Sequence, residues 1–227
     1  MIDKQYGTVS EALGVVKDGS TVLVAGFGLV GQPQNLLRGL LDTGARDLTI
    51  VCNNSGSGTT GLAALIDADR VSKLICSFPR TGEPVAFERA FRAGRIQLEL
   101  CPQGTLSERM RAAAAGLGGF YTKVSAGTAL GEGKETRIID GETYVFELPL
   151  RADLALCKGA RADRWGNIVY NKAARNFNPT MAAAARVSVF EVDSAVPLGE
   201  LDPEHIVTPG IFVDRFVVTG SDQHGSS

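Results

Sequence analysis

The sequence predicts an α/β protein: an open, mostly parallel sheet with helices on both faces and antiparallel strands added in the second half. Three observations carry that expectation. Short β-branched apolar runs recur through the first half, each ending in a glycine-rich or amide-rich loop and followed by a helical segment, as β-loop-α units do. Within the first of these runs the apolar residues are consecutive, which suits strands covered on both faces. Further on the rhythm changes, and Asp140-Gly141 between two strand-like runs is a strong hairpin signal.

The elements follow in order. Thr8-Val9-Ser10-Glu11 has capping-box spacing, so a short helix with Ala12, Leu13, Val15 and Val16 precedes the turn at Asp18-Gly19. Residues 21–25 read as a buried strand, 26–31 as a glycine-rich loop, and Gln32-Pro33 opens a helix carrying Leu36, Leu37, Leu40 and Leu41. Thr43-Gly44 stops that helix, and strand 48–52 runs into the polar loop 53–58, completing a βαβ unit. A strand over 71–76, a helix around 84–93, a strand over 96–100 and a helix from Leu106 continue the alternation, the last behind a second capping box, Thr105-Leu106-Ser107-Glu108. Runs 135–139 and 143–148 flank the hairpin turn; 154–157 and 168–170 bracket a turn-rich loop; 187–192 and 212–218 are further strands. Residues 1–219 are expected to form one domain and 220–227 a flexible polar tail.

Composition excludes several functions. Of the 227 residues, 44% are hydrophobic and 21% charged, and Lys+Arg 23 against Asp+Glu 25 gives a net charge of −2 with no like-charge run, so neither nucleic acid nor membrane is an expected partner. Neither a secretory leader nor a stretch of ~18 apolar residues is present, and a cytoplasmic location is expected. Cys52, Cys76, Cys101 and Cys157 contain no Cys-x-x-Cys pair and the histidines number only 2, so buried thiols are expected rather than a metal site, a disulfide framework or a histidine-based triad. Gly-x-Ser-x-Gly and P-loop motifs are both missing.

What remains is the sheet edge. Gly26-x-Gly28-x-x-Gly31 between strand and helix has dinucleotide-binding spacing, but that motif wants an acid roughly 20 residues on, where this chain has Cys52-Asn53-Asn54. A dinucleotide loop and a tight packing turn both stay open. Loops 26–32, 53–58 and 102–105 should emerge together at strand carboxyl ends, where open α/β sheets bind ligands, and the amides of Asn53, Asn54 and Gln103 offer neutral donors for a carboxylate or oxyanion. Arg80 and Lys123 are candidate readers of an acidic substrate, Lys123 with a plain surface role as the alternative. The polar cluster Lys172, Arg175, Asn176, Phe177 and Asn178 reads as an inter-subunit or loop-anchoring patch.

At this point a family pattern emerges. Asp18-Gly19-Ser20-Thr21 leading into Gly26-Phe27-Gly28-Leu29-Val30-Gly31-Gln32-Pro33 resembles the signature of the alpha subunit of family I CoA-transferases. So do Asn53-Asn54-Ser55-Gly56, Pro102-Gln103-Gly104-Thr105-Leu106-Ser107-Glu108-Arg109, Gly131-Glu132-Gly133-Lys134-Glu135, Ala173-Ala174-Arg175-Asn176-Phe177 and Gly199-Glu200-Leu201-Asp202-Pro203-Glu204-His205-Ile206. Ser77-Phe78-Pro79-Arg80 is similar to the 3-oxoadipate branch, standing where the acetoacetate branch usually has a Tyr-Val-Gly-Glu-Asn-like stretch. The resemblance implies ping-pong transfer of CoA from succinyl-CoA to a 3-oxo acid through a glutamyl-CoA thioester. It implies no permanently bound cofactor, CoA being substrate, and pairing with a homologous beta subunit as a heterodimer within an A2B2 heterotetramer. The family's nucleophilic glutamate belongs to the beta subunit, and this chain has no Glu-Asn-Gly. By position, Ala25, Gly26, Phe27, Gly28, Leu29, Val30 and Gly31 are similar to the family's CoA-binding loop, and Asn53, Asn54 and Gln103 match its acyl-site residues, with Arg80 facing the acceptor's distal carboxylate. Ala25 departs from the usual Gly-Gly-Phe-Gly, which a strand end tolerates if φ is negative.

Overall fold

The computed structural model describes residues 2–80 and 85–220. Its first half alternates as α1 (Val9–Ala12), β1 (Thr21–Val24), α2 (Gln34–Asp42), β2 (Leu48–Cys52), α3 (Leu62–Asp67), β3 (Val71–Cys76), α4 (Val85–Arg92), β4 (Gln97–Leu100) and α5 (Gln103–Ala114). The second half adds β5 (Phe120–Thr122), β6 (Thr136–Ile139), β7 (Glu142–Glu147), β8 (Ala152–Asp163), β9 (Ile168–Val169), α6 (Asn178–Ala184), β10 (Ala185–Val196) and β11 (Arg215–Val218). The large sheet has the order β11-β10-β8-β1-β2-β3-β4, every neighbour along that path parallel, with β9 antiparallel on β8. The small sheet, β5-β7-β6, is antiparallel.

The consecutive apolar residues are explained by helices on both faces. Val22, Val24, Ile50, Cys52, Leu74, Leu154, Leu156 and Val189 pack with Leu36, Leu37 and Leu40 of α2, Leu62 and Leu65 of α3 and Phe87 of α4. Their neighbours Leu23, Val51, Ile75, Ala155, Cys157 and Phe190 point the other way, against Leu106 and Met110 of α5 and Met181 of α6. All four cysteines are free and buried, and burial raises every thiol pKa, that of Cys76 to about 12.

Most expected elements are present, with instructive shifts. Thr8 forms its capping box with Glu11. The second capping box does not form: α5 starts at Gln103 behind Pro102, which places Thr105 inside the first turn with its hydroxyl unpaired. Strands β8 and β10 are 12 residues each, far longer than their apolar centres, because Lys158, Arg161, Glu191 and Asp193 continue the pairing. The expected strand over 212–218 is shorter, a 3-10 turn at Gly210–Phe212 preceding β11. Helix α3 and strand β5 had no counterpart among the expected elements. Asp140 and Gly141 take φ of 51° and 79°, as the tight hairpin turn between β6 and β7 requires. Pro84, the expected start of α4, and tail residues 221–227 lie outside the described residues. Among the described residues no helix is long and apolar enough to cross a membrane.

Candidate functional site

The chain order reverses at β1, which has β2 on one side and β8 on the other, the kind of switch point beside which open α/β sheets bind ligands. At neighbouring strand ends stand Asn53 after β2, Ser77 after β3 and Gln103 opening α5 after β4. Gln103 Nε2 donates to Asn53 Oδ1 at 2.8 Å, and Ser77 Oγ donates to the same oxygen at 2.6 Å. The Phe78 N–H fixes the Asn53 carbonyl at 3.0 Å. With two donors on its oxygen, the Asn53 amide has one orientation, and its Nδ2 makes no hydrogen bond among the described residues. The arrangement is a buried, neutral N–H donor beside the exposed Gln103, suited to a carboxylate or to an oxyanion forming in acyl transfer. Ser77 is the member sequence reading missed; its signal was its place directly after β3, level with Asn53 after β2.

Asn54 is placed differently. Its Oδ1 accepts from the Gly56 N–H at 3.2 Å, a turn-capping role, while the residue lines a cavity of about 160 Å³ with Gly28, Leu29, Gln32, Ser57 and Thr60. That cavity joins the amide loop to the glycine-rich segment and has no charged residue in its wall.

The glycine-rich segment is a tight turn. Phe27 and Val30 exchange backbone bonds, N–H to carbonyl, at 3.0 and 3.2 Å. Gly31, at φ 65°, lies so close to the next segment that a Cβ there would strike the Ala174 carbonyl and sit 2.6 Å from Asn176 Nδ2. The Gly26 N–H donates to Asn176 Oδ1 at 3.2 Å, Asn176 Nδ2 donates to the Val30 carbonyl at 3.0 Å, and Asn178 Nδ2 donates to the Gly31 carbonyl at 3.2 Å. The polar cluster at 172–178 is therefore a loop anchor through Asn176 and Asn178. Ala25 is buried without a positive φ, so the alanine costs the turn nothing. What the turn offers to solvent is apolar: Phe27, Leu29 and Val30 are 55%, 70% and 51% exposed.

The dinucleotide alternative fails on the next feature. Pro33, at the N-cap of α2, has no side chain to cap the helix, and Glu191 of β10 does so instead, its Oε2 accepting from the Asn35 and Leu36 N–H groups at 2.8 and 3.0 Å. A pyrophosphate would need that helix end, which the protein's own carboxylate already fills. Glu191 is fully buried, and burial raises its pKa against the opposing pull of the Leu36 N–H, Lys158 and the Asn35 N–H. Its only sequence signal was an acid inside the apolar run Val189-Phe190-Glu191-Val192.

Other charged candidates lie apart from the amides. Arg80 pairs with Glu88 of α4 at 3.4 Å and its side chain is 70% exposed. Lys123 pairs with Glu142 on the small sheet, a surface role. Arg109 bridges Glu99 at 2.8 Å and the Leu148 carbonyl at 2.9 Å, tying α5 to the chain leaving β7. Lys73 holds the other side of Glu99 at 2.6 Å; burial raises the Glu99 pKa, but the two cations outweigh it and the net shift is down.

Comparison with known proteins places this geometry. The Coenzyme A transferase family model matches residues 6–219. One of the two kinds of subunit of the 3-oxoadipate CoA-transferase of Pseudomonas putida is 55% identical over 96% of this chain and 94% of its own length. The corresponding subunit of the succinyl-CoA:3-ketoacid coenzyme A transferase of Xanthomonas campestris is 46% identical over 97% of this chain and 90% of its own. Among solved structures, an acyl-CoA transferase of Escherichia coli O157:H7 superposes with a TM-score of 0.85 at 20% identity; the match covers 95% of this chain but 47% of that one, so this chain spans about half of the larger protein. With a family model that runs from Tyr6 to Thr219 and relatives aligned over nearly their whole length, the chain belongs to the coenzyme A transferase family.

Proposed function

We propose that this chain is the alpha subunit of a cytoplasmic CoA-transferase that moves CoA from succinyl-CoA to 3-oxoadipate. The observation that carries the choice of acceptor is the 55% identity to a 3-oxoadipate CoA-transferase chain, against 46% to a 3-ketoacid enzyme. The amide cluster is consistent with the chemistry. In ping-pong transfer a carboxylate nucleophile, here assigned to the partner beta subunit, takes CoA as a thioester and hands it to the second acid. Each half-reaction passes through an oxyanion that Asn53 and Gln103 are placed to stabilise. The turn over Ala25 to Gly31 contributes the acyl-CoA side of the cleft, Asn54 bridges the two, and the assembly is A2B2. Arg80 meets the distal carboxylate of the dicarboxylic acceptor by exchanging Glu88 for it.

The test is acceptor competition in the reconstituted complex. Preference for 3-oxoadipate over acetoacetate is the expected result. Preference for acetoacetate would keep the mechanism and assign the chain to the 3-ketoacid branch, the second reading that the Xanthomonas relative favours.

A further inference from the structure

The turn that presents Phe27, Leu29 and Val30 is held at two places. Asn176 and Asn178 grip Gly26, Val30 and Gly31, while Glu191 grips the first turn of α2, joined to Gly31 only through Gln32, Pro33 and Gln34. Glu191 faces Lys158, its register partner on β8, with Lys158 Nζ 3.4 Å from its Oε1 and 3.7 Å from Asp193 Oδ1. Lys158 lines both the cleft of about 760 Å³ between α2 and α3 and the pocket of about 380 Å³ on the Val30 and Ala173 flank of the turn. A buried carboxylate thus meets two main-chain N–H groups that no residue of α2 itself can satisfy.

We propose that Glu191, with Lys158 as its counter-ion, is a positioning residue for acyl-CoA, fixing the start of α2 and through it the Phe27–Val30 turn. This rests on the reading of that turn as part of the acyl-CoA site. Without the carboxylate, two buried N–H groups lose their acceptor, the first turn of α2 loosens, and the glycine-rich turn is held from the Asn176 side alone. The amide cluster shares none of these bonds. The consequence falls on acyl-CoA binding and spares the acceptor side.

Glu191→Ala and Glu191→Gln in the complex with the beta subunit test this with two readouts. Hydrogen exchange over 26–40 should accelerate about 10-fold in Glu191→Ala with 48–56 and 101–106 unmoved, and return most of the way in Glu191→Gln, whose amide oxygen still accepts both bonds. The KM for succinyl-CoA should rise about 5-fold in Glu191→Ala while kcat and the KM for the 3-oxo acid stay within about 2-fold. Unchanged exchange, or equal losses in kcat and both KM values, overturns the proposal. So does faster exchange with an unchanged KM for succinyl-CoA, since the turn would then be held by Glu191 without holding acyl-CoA. Should Glu191→Ala not fold, Glu191→Gln decides: a succinyl-CoA KM raised about 2-fold by the lost pairing with Lys158 supports positioning, and a wild-type KM overturns it. A wild-type complex that transfers CoA to no 3-oxo acid would instead sink the proposed function, and the exchange readout would still report on Glu191.

Discussion

The glycine-rich turn after β1 and the amide cluster after β2, β3 and β4 stand on the same sheet edge and are built in opposite ways. The turn takes its shape from the backbone, exposes apolar side chains, and is anchored by residues about 150 positions away, in the segment before α6 and in β10. The cluster takes its shape from side chains, presents polar groups, and is assembled from adjacent strand ends with a carbonyl-like oxygen, Asn53 Oδ1, as its hub. A surface that must hold a ligand without reacting can be made of backbone and packing, provided something distant clamps it. A group that must meet developing charge needs its orientation fixed locally.

Substitutions can break each side separately. The largest effect is expected in the cluster: Gln103→Ala should lower kcat by roughly 10²–10³-fold, the loss typical of one oxyanion donor, with unfolding stability almost unchanged because Gln103 is exposed. Next comes Gly31→Ala, which should cost about 3 kcal/mol of stability in denaturant unfolding, from the left-handed φ and the collision with Ala174 and Asn176. Ser77→Ala removes one of two donors to Asn53 and should cost about 1 kcal/mol, with an activity loss smaller than that of Gln103→Ala. Arg80→Ala should move stability by less than about 0.5 kcal/mol, its pair with Glu88 being solvent-screened, yet raise the KM for 3-oxoadipate more than that for acetoacetate.

A pH series sharpens the comparison from outside both regions. The lowered pKa of Glu99 means that the stability from Lys73, Glu99 and Arg109 is present above the unfolded carboxylate pKa and is lost as pH falls through the folded one. Glu99→Gln should flatten that acid limb of a thermal-unfolding profile while leaving the neutral-pH kinetics of the amide cluster intact.

The contrast also explains what the sequence could reveal. β1 to β3 and α2 were legible because each strand buries both faces and each helix one, which writes consecutive and stepped apolar residues into the chain. Asn53 and Gln103 were legible as amides at strand ends, since local position suffices to bring them together. The ends of β8 and β10 were hidden because Lys158, Arg161, Glu191 and Asp193 interrupt the apolar run, and ladder pairing, unlike burial, leaves no mark in composition. The start of α5 was misplaced because Thr105-x-x-Glu108 has the spacing of a cap that the helix, already begun at Gln103, does not use. Glu191 was hidden for a related reason: its partners are main-chain N–H groups from the other half of the chain, and no spacing rule connects them.

On the proposed division of labour, this chain holds acyl-CoA and steadies the oxyanion while the partner supplies the nucleophile. Intact-mass analysis of the reconstituted complex, incubated with succinyl-CoA and no acceptor, tests it most directly. The predicted result is a CoA adduct on the beta subunit, this chain at its unmodified mass, and no turnover by either protein in isolation. A CoA adduct on this chain, or full transferase activity without the partner, would contradict the account.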